Sequence, residues 1–440
     1  MGKTIGIRHE DKYKMERRTP IIPSLARRLV EKDGIGVTVQ ASPKRVFTDQ
    51  EYLQAGAQVA SDLKECDVIF GVKEIPAEAF ESGKTYVFFS HVIKGQPYNM
   101  PMLKSMMEMG CNLIDYERIV DEQDRRLIFF GRFAGLAGMI DSLWSMGQRL
   151  KEYGYTGNPF LPVKQSCAYA SLDEAKREIS GVGRMIEEKG LPQDLLPMVI
   201  GFTGYGNVSM GAQEIAHLLP LREISPEQLL ALKNQKNHPN NVIYKVVFRE
   251  EHLSRPKHPE TVFDLQDYYQ HPEKYESDFE QYIPELSILM NCMYWDTRYP
   301  RIVTKDYIKK LFSQGRPKLT VIGDVTCDPD GSVEITHKGT PIEDPVFVYN
   351  PETGKPVMGF SGPGMLVMAV DILPSELPRD SSIAFSDALS AYVKPIAEAD
   401  YSNGFEELKL PAPIKKALIL HRGKLTPDYE YIKKHLEPSQ

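Results

Sequence analysis

The stretch VIGFTGYGNVSMGAQEIAHLL, residues 199–219, sets the reading of the chain around it. An apolar run of strand length ends at Thr203, glycines follow at 204 and 206, and helical spacing begins at once. Strand, glycine turn and helix in that order make a cradle for a dinucleotide. The first glycine forms the turn, the second lets the backbone approach the pyrophosphate, and the helix N–H groups receive its charge. Gly204, Gly206, Asn207, Val208 and Ser209 are therefore the expected cofactor contacts, with Ser209 at the third small position and Gly211 close behind. The competing reading is a tight structural turn.

The type of nicotinamide nucleotide is sought about 20 residues further on, where an acidic residue takes the ribose 2′-OH of NAD or an Arg takes the 2′-phosphate of NADP. The segment PLREISPEQ, residues 220–228, offers Arg222, Glu223 and Ser225 there. Ser225 at the expected strand end, with Arg222 beside it, tilts the choice to NADP(H), with NAD(H) the alternative.

Upstream, residues 4–117 alternate short β-rich runs with amphipathic segments, and residues 197–328 do so again. Such alternation predicts an α/β fold of two Rossmann-like domains with largely parallel sheets and a cleft between them. Helical spacing over 131–154, ending at Gly154, predicts a long helix linking the two. Residues 1–133 are expected to form a substrate domain, completed by the segment 366–440, which is too short for a core of its own. Residues 134–365 are expected to form the dinucleotide-binding domain. The polar stretch between residues 254 and 284 reads as a surface excursion.

Composition narrows the partners. The chain has 440 residues and a net charge of −7, so no global field would hold nucleic acid, and small molecules are the expected ligands. No apolar stretch approaches the ~20 residues of a membrane helix, and the first strand begins almost at once, so a cytoplasmic setting is expected. Five scattered cysteines suggest reduced, buried thiols, and ten histidines without close spacing give no support to a metal. A homo-oligomer is compatible with all of this.

Parallel sheets bind ligands at the carboxyl ends of their strands. Lys73, His91 and Glu117 each close an apolar run, so three titratable groups are expected at one crevice. A partly desolvated Lys loses its proton more easily, and His titrates near neutrality, which suits both to acid–base work. Solvated strand ends are the bland alternative. Turns carrying Glu16, Arg17 and Arg18, and Arg125 and Arg126, offer guanidinium groups for carboxylates, or plain solvated surface. Asp324 and Asp328 end a strand of the second block, either to orient a nicotinamide or to cap a turn.

Segments spread over the chain carry a resemblance: GIRHEDKYKMERRTP (6–20), VKEIP (72–76), FFSHVIKGQ (88–96), FTGYGNVSMGAQEI (202–215), LMNCMYWDTRYPRIVT (289–304) and VDILPSELPRDSS (370–382). In this order, from residue 4 to about 435, the chain resembles the lysine-ketoglutarate reductase portion of α-aminoadipate semialdehyde synthase. More distantly it is similar to the lysine-forming saccharopine dehydrogenases of fungi, within the alanine dehydrogenase and transhydrogenase superfamily.

The resemblance implies a reductive condensation: the ε-amine of L-lysine attacks the ketone of 2-oxoglutarate, water leaves, and hydride from the nicotinamide reduces the imine to saccharopine. It implies Lys73 and His91 as the acid–base pair, Glu16 and Glu117 near the substrate amines, and Arg18 and Arg126 on substrate carboxylates. It also places Asp371 beside the nicotinamide and keeps Asp328 at the site. Relatives usually continue into a second enzyme, so with this chain ending at residue 440 the next step is expected of another protein. The alternatives are an amino-acid dehydrogenase of the alanine dehydrogenase type and a nucleotide-sensing module without chemistry.

Overall fold

The computed structural model describes residues 3–436, which divide into two compact units: residues up to Phe130 together with those from Pro378 onward, and Gly131–Leu377. No helix among the described residues is long and apolar enough to cross a membrane.

In the first unit six strands run parallel: β1 (Thr4–Ile7), β2 (Gly36–Gln40), β3 (Gln58–Ala60), β4 (Val68–Phe70), β5 (Thr85–Phe88) and β6 (Asn112–Asp115). Helices α1 (Pro23–Glu31), α2 (Asp49–Gln54) and α3 (Met100–Glu108) connect them. Proline at the start of α1 and a capping box between Thr48 and Glu51 on α2 fix two of these starts. Alternate residues of one strand serve different cores: Val68 and Phe70 pack in one apolar cluster and Ile69 in another. A sheet buried on both faces explains the nearly unbroken apolar runs.

The second unit opens with α4 (Gly131–Glu152), followed by α5 (Leu172–Lys189), β7 (Met198–Thr203), α6 (Asn207–Ala216), β8 (Leu221–Glu223), α7 (Pro226–Leu232) and β9 (Ile243–Phe248). Then come α8 (Glu250–Leu253), β10 (Ser254–Pro256), α9 (Leu265–Gln270), β11 (Tyr275–Ser277), β12 (Ile288–Asn291), α10 (Lys305–Ser313) and β13 (Val321–Asp324). Strands β14 (Val346–Asn350), β15 (Lys355–Met358) and β16 (Met365–Met368) complete it. The main sheet has the order β15-β14-β16-β13-β12-β7-β9-β8, while β10 and β11 form a separate ribbon within the polar excursion. Gly154, at φ 93°, lies just beyond the end of α4.

Glycines hold α4 against α6. A Cβ on Gly135 would collide with the Val208 carbonyl, and one on Gly211 with the Arg132 carbonyl, so the two backbones meet directly.

The chain re-enters the first unit with α11 (Pro378–Glu398), α12 (Ala412–Ala417), β17 (Leu418–His421) and β18 (Lys424–Leu425). Strand β17 pairs antiparallel with β6, extending the sheet to β18-β17-β6-β5-β4-β1-β2-β3. The expected return at residue 366 is corrected to Pro378, because Met365–Met368 forms β16, parallel to β13 in the second unit's sheet. Likewise the first crossing falls at Gly131 instead of after residue 133.

Candidate active site

The first unit gathers its candidate side chains beyond the carboxyl ends of β1, β4, β5 and β6, four consecutive strands of the sheet. Glu10 and Glu16 follow β1, Lys73 and Glu74 follow β4, His91 follows β5, and Glu117 follows β6. Sequence reasoning missed Glu10 and Glu74, although Glu74 adjoins Lys73 in the VKEIP turn.

Glu74 anchors the cluster. Its Oε1 lies 2.8 Å from His91 Nδ1 and 2.7 Å from Lys12 Nζ. Its Oε2 is buried without a hydrogen-bond partner among the described residues. Burial works against ionisation of Glu74, but the His91 hydrogen bond and charge, with Lys12, hold its carboxyl down at about 2. His91 sits in the left-handed backbone region at φ 50°, a conformation a non-glycine residue keeps only where its surroundings enforce it. Asn99 Nδ2 supplies part of that, donating to the Ser90 and His91 carbonyls at 3.0 and 3.2 Å. Beneath them, buried Asp115 accepts from the Ser90 amide at 3.1 Å and the Glu117 amide at 2.8 Å, tying the β5 and β6 ends together.

Lys73 is half-buried, with Nζ 5.7 Å from the Tyr13 ring centroid. Its amide and that of Val72 donate to Glu10 at 2.9 and 2.7 Å. Burial, reinforced by the neighbouring Glu16 carboxylate, pushes Glu10 up to about 7. Lys12 Nζ faces both Tyr13 and Tyr98, at 5.3 and 5.9 Å.

Arg18 is committed differently from the expectation that it holds a substrate carboxylate. Its Nε and Nη2 donate to the two oxygens of Glu16 at 2.8 and 2.6 Å, and its guanidinium lies 4.1 Å from the Phe130 ring centroid. Both residues are buried. Burial opposes ionisation of Glu16, yet Arg18, with help from Lys73, keeps its carboxyl below the usual range. Arg126 pairs with Glu117 and stays 51% exposed, so it can still meet a ligand.

The second unit presents the glycine loop at the end of β7. Gly204 has φ 79°, and Gly206, the N-cap of α6, has open space where a Cβ would stand. No side chain caps the helix, and a cavity of about 420 Å³ lies at its N-cap, with walls that include Gly204, Tyr205, Gly206, Phe248, Glu250 and Tyr269. Open backbone, unclaimed amides and a cavity of this size fit a dinucleotide. Asn207 starts α6 exposed and Val208 is half-buried, whereas Ser209 is buried and accepts from Gln213 Nε2 at 3.0 Å. Ser209 therefore faces the interior, and Gly211 makes the close helix contact.

Other expected cofactor residues lie apart from this cavity. Arg222 and Glu223 are exposed on edge strand β8, Glu223 pairs with Lys245 at 2.7 Å, and Ser225 caps α7 instead of ending the strand. Asp324 is fully enclosed, accepting from Asn291, Thr326 and Thr336 at 2.8, 2.7 and 2.6 Å. It knits β12 to β13, and burial raises its carboxyl. Asp328 is exposed on the following loop, while Asp371 Oδ1 lies 3.9 Å from Cys327 Sγ.

Comparison with known proteins places this geometry in a lineage. The profile described as "Alanine dehydrogenase/PNT, N-terminal domain" matches residues 6–137, and that of the C-terminal domain matches residues 257–428. Alpha-aminoadipic semialdehyde synthase of Arabidopsis thaliana is 40% identical over 97% of this chain and 41% of its own length. The mitochondrial mouse protein of that name is 34% identical over 98% of this chain and 47% of its own length. The chain thus spans less than half of these two relatives. Saccharopine dehydrogenase [NAD(+), L-lysine-forming] of Yarrowia lipolytica is 27% identical over 85% of this chain and 87% of its own length. Among solved structures, an L-alanine dehydrogenase superposes with a TM-score of 0.63 at 18% identity, covering 99% of this chain and 100% of that one. Two matched domains in sequence order, and a shared fold along nearly the whole chain, make this protein a member of the alanine dehydrogenase/PNT family.

Proposed function

We propose that the chain is an oxidoreductase that condenses L-lysine with 2-oxoglutarate and reduces the resulting imine to saccharopine, with a nicotinamide dinucleotide as hydride donor. The observation that carries this reading is the acid–base cluster of Lys73, His91 and Glu74 beyond adjacent strands β4 and β5, in a chain 40% identical to a semialdehyde synthase. Its domain assignment follows: the first unit takes the amino acid and keto acid, and the second takes the nucleotide.

Condensation needs a neutral amine at the ketone carbon and protons delivered to the departing oxygen. With Nδ1 hydrogen-bonded to Glu74, the His91 ring can turn Nε2 to the reacting group and move a proton there. Lys73, a strand away, is the second proton carrier. The Glu117 carboxylate offers an acceptor for a substrate ammonium group and Arg126 is the accessible guanidinium for a substrate carboxylate, while Glu16, enclosed with Arg18, stays out of direct reach. Arg18 serves by holding Glu16 ionised. When bound, the nicotinamide supplies the hydride; the chain holds its pyrophosphate at Gly204, Gly206 and the α6 amides. Arg222 and Ser225, which favour NADP(H) in the sequence, stand at β8 and α7, whereas β9 lies beside β7, so nucleotide choice falls to residues ending β9.

The test is loss of reduced-nicotinamide absorbance with lysine, 2-oxoglutarate and cofactor, each omitted in turn. Oxidation requiring both lysine and 2-oxoglutarate is expected. Oxidation with ammonia and a keto acid but no lysine would move the chain to the alanine dehydrogenase activity, and none in any mixture would favour a sensing module.

A further inference from the structure

The sheet order relocates the nucleotide-selecting position. The strand that follows the glycine loop in sequence, β8, lies at the edge, and β9 is inserted between it and β7. A dinucleotide whose pyrophosphate rests on the α6 amides extends its adenosine ribose over the end of the strand adjoining β7. That end is Phe248, followed by Arg249 and by Glu250, the first residue of α8.

Glu250 is on the wall of the 420 Å³ cavity together with Gly204 and Gly206. Its Oε1 accepts the Tyr269 hydroxyl at 2.7 Å and the Tyr205 hydroxyl at 3.4 Å, while no hydrogen bond occupies Oε2 among the described residues. Burial, and then the Glu250 carboxylate, push the Tyr269 phenol up, so it remains a donor. Two phenols thus orient a carboxylate whose second oxygen is open beside the loop. A ribose 2′,3′-diol offers hydroxyl donors to such an oxygen, whereas a 2′-phosphate would bring a dianion against it. Arg249, the neighbouring cation, is exposed, with its guanidinium 4.9 Å from the Tyr205 ring centroid, and takes no part in the cavity wall.

We propose that Glu250 selects the cofactor, receiving the adenosine ribose diol and repelling a 2′-phosphate, so that this chain takes NAD(H) in preference to NADP(H). The inference rests on the dinucleotide reading and reverses the choice that Arg222 suggests. Tyr269, on α9 of the polar excursion, is a positioning residue that aims the carboxylate.

Equilibrium titration of the full chain with NADH and with NADPH, followed by nicotinamide fluorescence, tests this. The wild type is expected to bind NADH at least about tenfold more tightly than NADPH, and Glu250→Gln to shrink that ratio about tenfold, chiefly by gaining NADPH affinity. Tyr269→Phe keeps the carboxylate and loosens its aim, so it should move the ratio the same way by a smaller factor; it carries the test if Glu250→Gln lacks a native circular dichroism spectrum. Arg249→Ala should leave the ratio as it was. Tighter wild-type binding of NADPH, a ratio insensitive to Glu250→Gln and Tyr269→Phe, or a preference governed by Arg249 would overturn the proposal. Binding of neither nucleotide would instead overturn the dinucleotide reading on which it stands.

Discussion

Glu74 Oε1 and His91 Nδ1 lie 2.8 Å apart, joining the turn after β4 to the turn after β5. The native carboxyl sits at about 2, below its ordinary 4.5, so between those values the unfolded chain binds more protons than the folded one. The stabilisation is complete above the ordinary value and is lost as pH falls toward 2. Its size is on the order of 3 kcal/mol. Thermal melts of the wild type should decline steeply below about pH 4.5, and Glu74→Gln should be less stable at neutrality with a flatter acid profile. Parallel profiles would show that the pair contributes nothing to folding.

Lys73→Met keeps a linear side chain and removes the proton carrier. Turnover should fall by about 10²–10⁴-fold while nucleotide affinity is retained, measured by single-turnover kinetics alongside cofactor titration. Unchanged turnover would take Lys73 out of the mechanism.

Arg18→Ala leaves the buried Glu16 without its bidentate partner, and the cost of breaking such a pair is about 3–5 kcal/mol. Urea denaturation should register a loss of that order. Arg18→Met with Glu16→Gln should recover much of it, because no buried charge is then left unmatched.

Gly135→Val would drive a side chain into the Val208 carbonyl, one residue inside the helix that opens at the glycine loop. Overpacking costs about 1–3 kcal/mol, and each kcal/mol lowers the melting midpoint by about 2–4 °C in a unit of this size. Nucleotide affinity should fall with stability, since α6 cannot shift without carrying its N-terminal amides. Gly157→Val, where a Cβ meets nothing, is the control expected to do neither.

Asp141 on α4 and Glu376 are neighbouring carboxyls buried in the interior of the second unit, with the Ser166 amide donating to Asp141 at 2.8 Å and the Cys167 amide to Glu376 at 3.1 Å. Burial raises both carboxyls, and the like charge of Asp141 raises Glu376 further. The folded state therefore holds protons that the unfolded state releases above the ordinary carboxyl range, and stability falls as pH rises from about 4 through neutrality. Calorimetric scans from pH 5 to about 8 should show this decline, and Glu376→Gln should flatten it.

Much of the fold is visible in the sequence because it is local. The strand–glycine–helix order at 198–216, the long helix from Gly131 and the apolar runs that Lys73 and His91 follow arise from spacing within about two dozen residues. What stays hidden depends on partners far apart in sequence. Glu10 receives amides more than 60 residues away, and its role has no local mark. Glu74 has one, its position beside Lys73, but its meaning comes only when His91 and Lys12 meet the same oxygen. The β8–β9 exchange is the sharpest case: chain order puts Arg222 after the loop, while sheet order puts Glu250 there. Strand succession does not determine strand adjacency, and adjacency decides which side chains stand beside the glycine loop.

The return of the chain to the first sheet bears on its synthesis. Until residues 418–421 emerge, β6 is an open edge with unpaired amides and carbonyls, and its eventual partner lies roughly 300 residues downstream. At about 5–20 residues per second that edge waits some 15–60 s on the ribosome, long enough for the second unit, contiguous from 131 to 377, to form first. The middle thus matures first, and residues 418–421 then seal the sheet that residues 4–115 began.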